Sequence, residues 1–240
     1  MILVRHGRTE WNAQGRYQGS KDSPLLPEGR KSAAAIGQRL ATSKRPIVCV
    51  YSSPLGRAWS TAQLIVAELP SVPLIAERLL TERNYGCLEG LTHDEQWAQH
   101  PDVAEKQTTR DESYAPPGGG ESRLAVRKRA AEGLRAIARR HPGQRVLVVT
   151  HSGLLSSLMT ECLNQKPNPN PRIRTLKLAN TALNMLRWSG DGWQLCLWGD
   201  TGDDFQAVAP PNTPSALLGA GLAGVVLGAT VAALAFRHSK

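Results

Sequence analysis

A histidine between an arginine and a glycine stands at the start of the chain, as Arg5-His6-Gly7. Neutral imidazole is a competent nucleophile toward phosphorus, and it forms a phosphohistidine that water then hydrolyses. Arg5 adds a planar fork of donors that matches phosphate oxygens, and its charge disfavours protonation of His6. Gly7 lets the backbone and a ligand approach closely. By itself, the tripeptide would favour a core histidine beside a solvent-facing arginine, because such a tripeptide often occurs by chance.

Three polar side chains farther along the chain could serve the same chemistry. Arg57 lies in the first turns after a predicted strand, where it could bring a second guanidinium and a helix N-terminus to one phosphate. His151 follows an apolar run, and Glu82 could give a proton to the leaving oxygen. Each has an ordinary alternative: an exposed charge for Arg57, a capping residue for His151, and a surface acid paired with Arg83 for Glu82.

Such residues need a sheet that brings distant parts of the chain to one edge. Apolar runs predict strands over residues 2–4, 47–51, 72–76, 145–150 and 173–178. Helices are predicted over residues 28–43, 54–69, 121–141 and 154–163. This alternation predicts an α/β fold, a three-layer α/β/α sandwich with a mainly parallel sheet. Ligands bind beyond the carboxyl ends of the strands in such sheets, where His6 and His151 both fall.

Two local signals refine these elements. Ser53 is expected to cap the helix over 54–69, with Pro54 at its first position. Strands over 182–188 and 193–199 are expected to pair as a hairpin, because a Ser-Gly-Asp-Gly turn signal separates them.

Five motifs then occur in order along the chain. They are R-H-G-x-T at His6, S-S-P-L-x-R ending at Arg57, L-x-E-R-x-Y-G-x-L-E-G around Glu82, P-G-G-x-E-S ending at Ser122, and V-T-H-S-G containing His151. With them the chain resembles the histidine phosphatase superfamily, in its phosphoglycerate mutase-like branch of broad-specificity and alpha-ribazole phosphatases. The resemblance covers about residues 1–200, and it implies a three-layer α/β/α fold with no cofactor and no metal.

The resemblance implies a role for each matching residue. His6 becomes the phosphorylated nucleophile, and Glu82 becomes the general acid that later acts as the base for water. The phosphate pocket is implied to contain Arg5, Arg57 and His151. Residues implied to contact the substrate are Asn12, Gln18 and Gly19, and those implied to border the pocket are Glu121 and Ser122.

The resemblance leaves the reaction open between two activities. Mutases of the family carry an Arg- and Lys-rich insertion after the E-R-x-Y-G motif, but residues 90–117 here contain only Lys106 and Arg110. A phosphomonoesterase for a small phosphorylated metabolite is therefore favoured, with a phosphoglycerate mutase as the alternative. A non-catalytic membrane scaffold is disfavoured, because the residues implied in catalysis are all present.

The C-terminal residues predict attachment to a membrane. Residues 216–236 carry no charge, and a helix of that length would span the hydrocarbon core of a bilayer. The expected organisation is a catalytic domain over 1–205, a Pro-rich linker over 206–215, the transmembrane helix over 216–236 and a basic tail over 237–240. Since the first motif begins at residue 5, no signal peptide is expected, and a cytoplasmic catalytic domain is the simplest topology. A G-x-x-x-G pair, Gly224 and Gly228, could support a homodimer.

The charge balance suits anionic partners. The net charge is +9, from 29 Lys+Arg and 20 Asp+Glu, which favours a phosphorylated substrate or membrane lipid. Nucleic acid is not indicated, because no run of five Lys or Arg and no nucleic-acid-binding signature occurs. None of the 4 cysteines forms a C-x-x-C pair, so neither zinc nor a redox dithiol is indicated. The basic helix over 121–141 is interpreted as a solvated face, and attraction to an anionic leaflet is the second interpretation.

Overall fold

The computed structural model describes residues 1–109, 111–162, 178–190 and 192–202. Within them, six strands form one sheet in the order β3-β2-β4-β1-β5-β6. The strands are β1 (Ile2–Arg5), β2 (Cys49–Ser52), β3 (Leu74–Ala76), β4 (Val146–Thr150), β5 (Leu183–Trp188) and β6 (Trp193–Asp200). The first four strands pair in parallel, while β5 joins β1 and β6 joins β5 in antiparallel fashion. The sheet is therefore mixed, and the predicted hairpin supplies one of its antiparallel pairings.

Helices cover both faces of this sheet. In the described residues they are α1 (Glu10–Ala13), α2 (Pro27–Ala41), α3 (Gly56–Val66), α4 (His93–Gln99), α5 (Pro101–Thr108), α6 (Arg123–Arg140) and α7 (Ser152–Cys162). The helices α2 and α3 pack together, as do α6 and α7. The predicted α/β class is confirmed, and three of the five strand pairings in the mixed sheet are parallel.

The alternation of side chains along β1 separates two hydrophobic cores. Leu3 packs on one face with Val126 of α6 and Leu154 of α7. Ile2 and Val4 pack on the other face, in the core that α2 and α3 cover. Because side chains of a strand alternate between faces, apolar residues are needed at every position of a strand covered on both sides.

The register of the parallel strands brings three chain segments to one edge of the sheet. Arg5 at the end of β1 stands opposite Thr150 at the end of β4. Ser52 at the end of β2 stands opposite Val149. The residues that follow these strands therefore emerge together beyond the carboxyl ends, where the site is expected.

The start of α3 differs from the prediction. The helix begins at Gly56, and the carboxylate of Asp22 accepts from the backbone N–H groups of Gly56 (2.6 Å) and Arg57 (3.2 Å). Ser53 accepts from the N–H of Leu55, outside the helix, and its hydroxyl also lies 2.8 Å from a nitrogen of His151. The prediction of Ser53 as the helix cap is wrong, because a carboxylate from another loop satisfies the first helical N–H groups.

The basic helix α6 is not simply a solvated face. Arg123 donates to the carbonyls of Gln107 and Thr109, and Arg127 forms a two-bonded ion pair with Glu112. Arg129 also points inward, and its contacts are described below. The interpretation as a solvated face is therefore wrong for the N-terminal part of this helix, where arginines bind neighbouring loops.

Several predictions fall on other parts of the chain. The strand predicted over 173–178, except for its last residue, the linker over 206–215, the apolar segment over 216–236 with its glycine pair, and the tail over 237–240 lie outside the described residues. Among the residues that are described, no helix combines the length and the apolar character needed to cross a bilayer.

Candidate active site

His6 follows directly on β1 and is held by hydrogen bonds at its backbone and its ring. Its N–H donates to the carbonyl of Thr150 (2.9 Å), and its ring Nδ1 lies 2.8 Å from the carbonyl of Gly7. A carbonyl can only accept, so Nδ1 carries the proton and Nε2 keeps its lone pair. Arg57 Nε–H donates to that lone pair at 3.3 Å. The ring thus presents an unprotonated Nε2 to the site.

Electrostatics keep this imidazole neutral. Burial lowers the pKa of His6 well below its ordinary 6.5, and the positive charges of Arg57 and Arg5 lower it further. The hydrogen bond to Gly7 acts in the opposite direction and does not offset them. His6 is therefore available as a nucleophile at neutral pH.

Gly7 has a packing role that the sequence did not show. A Cβ at this position would lie 2.7 Å from the carbonyl oxygen of Gly29, in the first turn of α2. The N–H of Gly7 donates to the Thr61 hydroxyl of α3 (2.9 Å). The glycine is thus required for backbone-to-backbone contact with α2.

Arg57 is almost fully buried and tightly held beside His6. It is 2% exposed, and Nη1 donates to the carboxylate of Asp22 (2.7 Å) and the carbonyl of Lys21 (2.6 Å). Nη2 donates to the carbonyl of Gly19 (2.8 Å). Asp22 thus binds both the backbone and the side chain of Arg57. The loop over 19–22 fixes the guanidinium in position.

His151 follows β4 and lies against the nucleophile. Its ring centroid is 5.2 Å from that of His6, and Nε2 is 2.8 Å from the Ser53 hydroxyl. Its Nδ1 is buried and has no hydrogen-bond partner among the described residues. Burial lowers the pKa of His151 well below 6.5, and the charge of Arg57 lowers it further. If the Ser53 hydroxyl donates to Nε2, then Nδ1 carries a proton that can bind a phosphoryl oxygen.

Glu82 reaches the site from the loop before α4, at the N-terminus of α7. Its Oε1 accepts from the N–H groups of Arg83 (2.9 Å) and Leu154 (3.0 Å), and its Oε2 accepts from Gly153 (3.0 Å). Each carboxylate oxygen has two acceptor sites. Only Oε2 therefore retains a position that can carry a proton. A Cβ on Gly153 would come within 2.5 Å of this carboxylate, so the helix must begin with little bulk there.

Arg5 and Asn12 lie near His6 and are anchored by the segment before β5. Arg5 Nη1 donates to the carbonyl of Leu178 (2.8 Å). Asn12 Oδ1 accepts from the N–H of Thr9 (3.3 Å) and from the amide of Asn180 (3.2 Å), which leaves the Asn12 amide N–H groups as donors. Asn180 also donates to the carbonyl of His6 (2.8 Å).

Gln18 and Gly19 are engaged within the loop that holds Arg57. Gln18 is 6% exposed, and its amide donates to the Thr9 hydroxyl (2.8 Å) while accepting from Ser23. Gly19 has a φ of +58°, and a Cβ there would overlap the carboxylate of Glu89. The structure thus places Gln18 inside the loop and the carbonyl of Gly19 against the Arg57 guanidinium.

An open cleft of about 320 Å³ adjoins Glu82. Its lining combines hydroxyl, amide, apolar and charged groups, from Ser20, Leu55, Thr81, Glu82, Asn84, Gly119, Glu121 and Arg129. Glu121 therefore borders the cleft. Ser122 is instead the N-cap of α6, where its hydroxyl accepts from the N–H of Ala125 (3.1 Å).

Sequence reasoning missed the residues that hold the site together. Asp22, Thr61 and Asn180 bind Arg57, Gly7 and His6 from segments far away in the chain. Ser53 was noticed only as a helix cap. Within the described residues, no three His, Cys, Asp or Glu side chains cluster as metal ligands. The positive charge at His6 comes from Arg5 and Arg57.

Known proteins resemble this chain in sequence and in fold. A family model described as the histidine phosphatase superfamily, branch 1, matches residues 1–201. Phosphoglycerate mutase-like protein 4 of Arabidopsis thaliana is 35% identical over 201 residues, which cover 83% of this chain and 84% of that protein. The metal-independent phosphoserine phosphatase of Arabidopsis thaliana is 36% identical over 200 residues, covering 83% and 81%. The solved structure of YhfR from Bacillus stearothermophilus matches with a TM-score of 0.73 and 32% identity, covering 83% of this chain and 96% of that one.

Proposed function

The chain belongs to the histidine phosphatase superfamily and is a phosphatase, and we propose that it hydrolyses a small phosphate monoester through a phosphohistidine at His6, without a metal ion. The observation that carries the proposal is the state of the His6 ring. Its Nδ1 proton is held by the Gly7 carbonyl, and its Nε2 lone pair faces Arg57. A neutral, oriented imidazole beside a buried cation is what attack on a phosphate ester requires.

In the first step, Nε2 of His6 attacks phosphorus and the bond from phosphorus to the ester oxygen breaks. Glu82 transfers a proton from Oε2 to that oxygen, so the alcohol leaves neutral. Arg57 Nε–H now donates to the Nε2 lone pair, and it becomes available to a phosphoryl oxygen once Nε2 binds phosphorus. Nδ1–H of His151 and the guanidinium of Arg5 supply further positive density for the equatorial oxygens.

In the second step, water attacks the phosphohistidine. Glu82, now a carboxylate, accepts a proton from the water, while the bond from Nε2 to phosphorus breaks. Inorganic phosphate leaves, and His6 regains its neutral ring with a proton on Nδ1. Glu82 ends protonated as it began, so the cycle needs no co-reactant other than water.

Phosphoserine is the first substrate to test. A relative that matches most of the chain is named as a phosphoserine phosphatase. The cleft beside Glu82 carries hydroxyl, amide and charged groups that suit a small polar alcohol as leaving group. Small sugar phosphates and the alpha-ribazole phosphate class remain in the same screen.

Phosphoglycerate mutase activity is the second candidate, because a relative of equal similarity is named as phosphoglycerate mutase-like. A mutase needs cations for the substrate carboxylate. In the described part of residues 90–117 the one cation is Lys106, whose ammonium lies 5.7 Å from the centre of the Tyr114 ring. This thin supply of positive charge favours hydrolysis.

The deciding experiment uses the full chain in EDTA with p-nitrophenyl phosphate, phosphoserine and 3-phosphoglycerate. We expect phosphate release that His6→Ala abolishes, and an acid-labile phosphoryl label on wild-type enzyme only. His93→Ala, an exposed histidine outside the site, is the matched control and should keep its rate. Formation of 2-phosphoglycerate without phosphate release would instead favour the mutase. Absence of both reactions in folded protein would reject the proposal and favour the scaffold.

Membrane tethering is the part of the proposal that rests on sequence alone. It is supported by the uncharged run over 216–236 and the net charge of +9. The test is flotation of the full chain with liposomes that contain anionic lipid, beside a version ending at residue 205. Flotation of the full chain alone, at high as well as low salt, is the expected result. Equal behaviour of both proteins would reject the tether.

A further inference from the structure

Arg129 of α6 reaches across to the loop that carries Glu82. This Glu82 loop, residues 79–84, connects the β3 region to the active site. Arg129 Nη1 donates to the carbonyls of Leu79 (3.0 Å) and Thr81 (2.7 Å). Its Nη2 donates to the carbonyl of Glu82 itself (3.0 Å). Three carbonyls of one loop thus converge on a single guanidinium.

Glu121 completes this contact from the other side. Its carboxylate accepts from Arg129 Nε and Nη2, each at 2.8 Å. The same carboxylate accepts from the N–H of Asn84 (3.1 Å), and its backbone carbonyl accepts from Arg83 Nε (2.8 Å). The ion pair of Arg129 and Glu121 therefore contacts the Glu82 loop at points from Leu79 to Asn84.

The arginine has no donor left over for a substrate. A guanidinium has five N–H donors. The five bonds described here, two to Glu121 and three to loop carbonyls, use all of them. Although Arg129 lines the cleft, its hydrogen bonds are directed to the protein. Lysine could not replace it in kind, since an ammonium has three donors and no planar fork.

We propose that Arg129, paired with Glu121, is a positioning residue that aims the Glu82 carboxyl at the leaving oxygen. The inference rests on the proposed function, in which Glu82 is the general acid. The backbone of Glu82 is bound by Arg129, and its carboxylate is bound by the N-terminus of α7. Loss of the backbone contact lets the carboxyl move relative to the phosphorus, and proton donation tolerates little displacement.

The test compares two esters that differ in how much they need an acid. Phenolate leaves poorly without a proton, whereas p-nitrophenolate leaves readily. In the full chain, Arg129→Gln should lower kcat/KM for phenyl phosphate about tenfold more than for p-nitrophenyl phosphate. The ratio of the two kcat/KM values does not depend on the concentration of folded enzyme. Partial unfolding therefore cannot imitate the effect.

Arg127→Gln is the matched control. Arg127 lies on the same helix in an ion pair with Glu112, and the side chains are 17% and 29% exposed, against 16% and 29% for Arg129 and Glu121. It should leave the ratio of the two esters unchanged. If Arg129→Gln does not fold, Arg129→Lys is judged by the same ratio.

Two further variants separate this inference from the proposed function. Glu82→Gln should itself show a strong preference for p-nitrophenyl phosphate, and adding Arg129→Gln to it should shift the ratio no further. A selective Glu82 variant beside an unselective Arg129 variant would overturn the positioning role alone. An unselective Glu82 variant would overturn both the acid assignment and the inference that depends on it. An inactive wild-type enzyme would reject the proposed function first.

Discussion

The two halves of the active site are held in place by different kinds of structure. The phosphoryl-binding half, His6, Arg57 and His151, lies where parallel strands end, and strand register brings its members together. The leaving-group half, Glu82 and its loop, does not follow directly on a strand, although Thr150 at the end of β4 donates to the carbonyl of Leu80 (2.7 Å). It is held by hydrogen bonds from Arg129, more than forty positions away in the chain, to its backbone carbonyls, and by the N-terminus of α7 at its carboxylate.

The difference indicates which changes each half tolerates. Strand register is fixed by many apolar contacts, so a single surface substitution cannot displace His6 from the sheet edge. The Glu82 loop is held largely by side-chain hydrogen bonds from one ion pair, so one substitution can move the acid while leaving the nucleophile in place. Variants of the first half should slow all phosphate esters alike, and variants of the second should discriminate among them.

The largest effect is expected from Arg57→Gln, in the phosphoryl-binding half. Loss of this donor should lower kcat/KM about 10²–10³-fold for phenyl and p-nitrophenyl phosphate alike. Because the charge of Arg57 lowers the pKa of His6, the acid limb of the kcat/KM profile should also move to higher pH. Arg8→Gln, which removes an exposed cation paired with Glu28, is the control. A selective loss for phenyl phosphate would contradict the assignment of Arg57 to the phosphoryl-binding half.

A smaller effect is expected from Asp22→Asn. Asp22 accepts from Arg57 and from the first N–H groups of α3, so its charge orients the guanidinium. We expect kcat/KM to fall about tenfold for both esters, as when a partly buried ion pair loses one partner. Steady-state kinetics with the two esters measure this, and Glu28→Gln serves as the exposed counterpart. An unchanged rate would mean that the loop holds Arg57 through its carbonyls alone.

The smallest effect concerns stability, where the halves should respond to different pH ranges. Burial lowers the pKa values of His6 and His151 from 6.5, so the unfolded chain binds protons at these histidines that the folded chain does not bind. For each of the two histidines, the free energy of unfolding should therefore fall by about 1.4 kcal/mol per pH unit as the pH falls below 6.5.

Glu121 should act at lower pH. Burial tends to raise its pKa, but hydrogen bonds from Arg129 and Asn84 hold it below its ordinary 4.5. Its contribution is therefore present above 4.5 and is lost as the pH falls through its lowered value. Urea unfolding at a series of pH values is the measurement. His6→Asn should reduce the slope of the unfolding free energy against pH just below pH 6.5, whereas Glu121→Gln should change that slope only in acid. If the unfolding free energy had the same slope against pH in both variants at every pH, the assignment of the two groups to different pH ranges would be contradicted.

The sequence was sufficient for the elements that are fixed locally. The apolar runs that lead to His6, Ser53 and His151 became β1, β2 and β4, and the hairpin formed where its turn signal stood. The antiparallel pairing of β5 with β1 was not predicted, because it is not encoded in either strand alone. The strands before His6 and His151 indicated where ligands bind, and the ordered motifs indicated the family.

The contacts that support the site could not be predicted in this way. Asn180 binds the carbonyl of His6 from 174 positions away, and nothing in its local sequence marks it. In the sequence, Asp22 is one acid in a polar loop, and only the tertiary structure brings the N-terminus of α3 to its carboxylate. Arg129 is one of many arginines on a basic helix, and only the tertiary fold separates it from the exposed ones.

The N-terminus of α7 offers a way to observe the acid directly. The amides of Gly153 and Leu154 donate to the two oxygens of Glu82. A proton arriving on that carboxylate weakens the charge-assisted bonds, and the amide proton resonances move accordingly. Isotope labelling of glycine alone would make Gly153 a spectroscopic probe of Glu82 within the turning-over enzyme, read without any substitution in the active site.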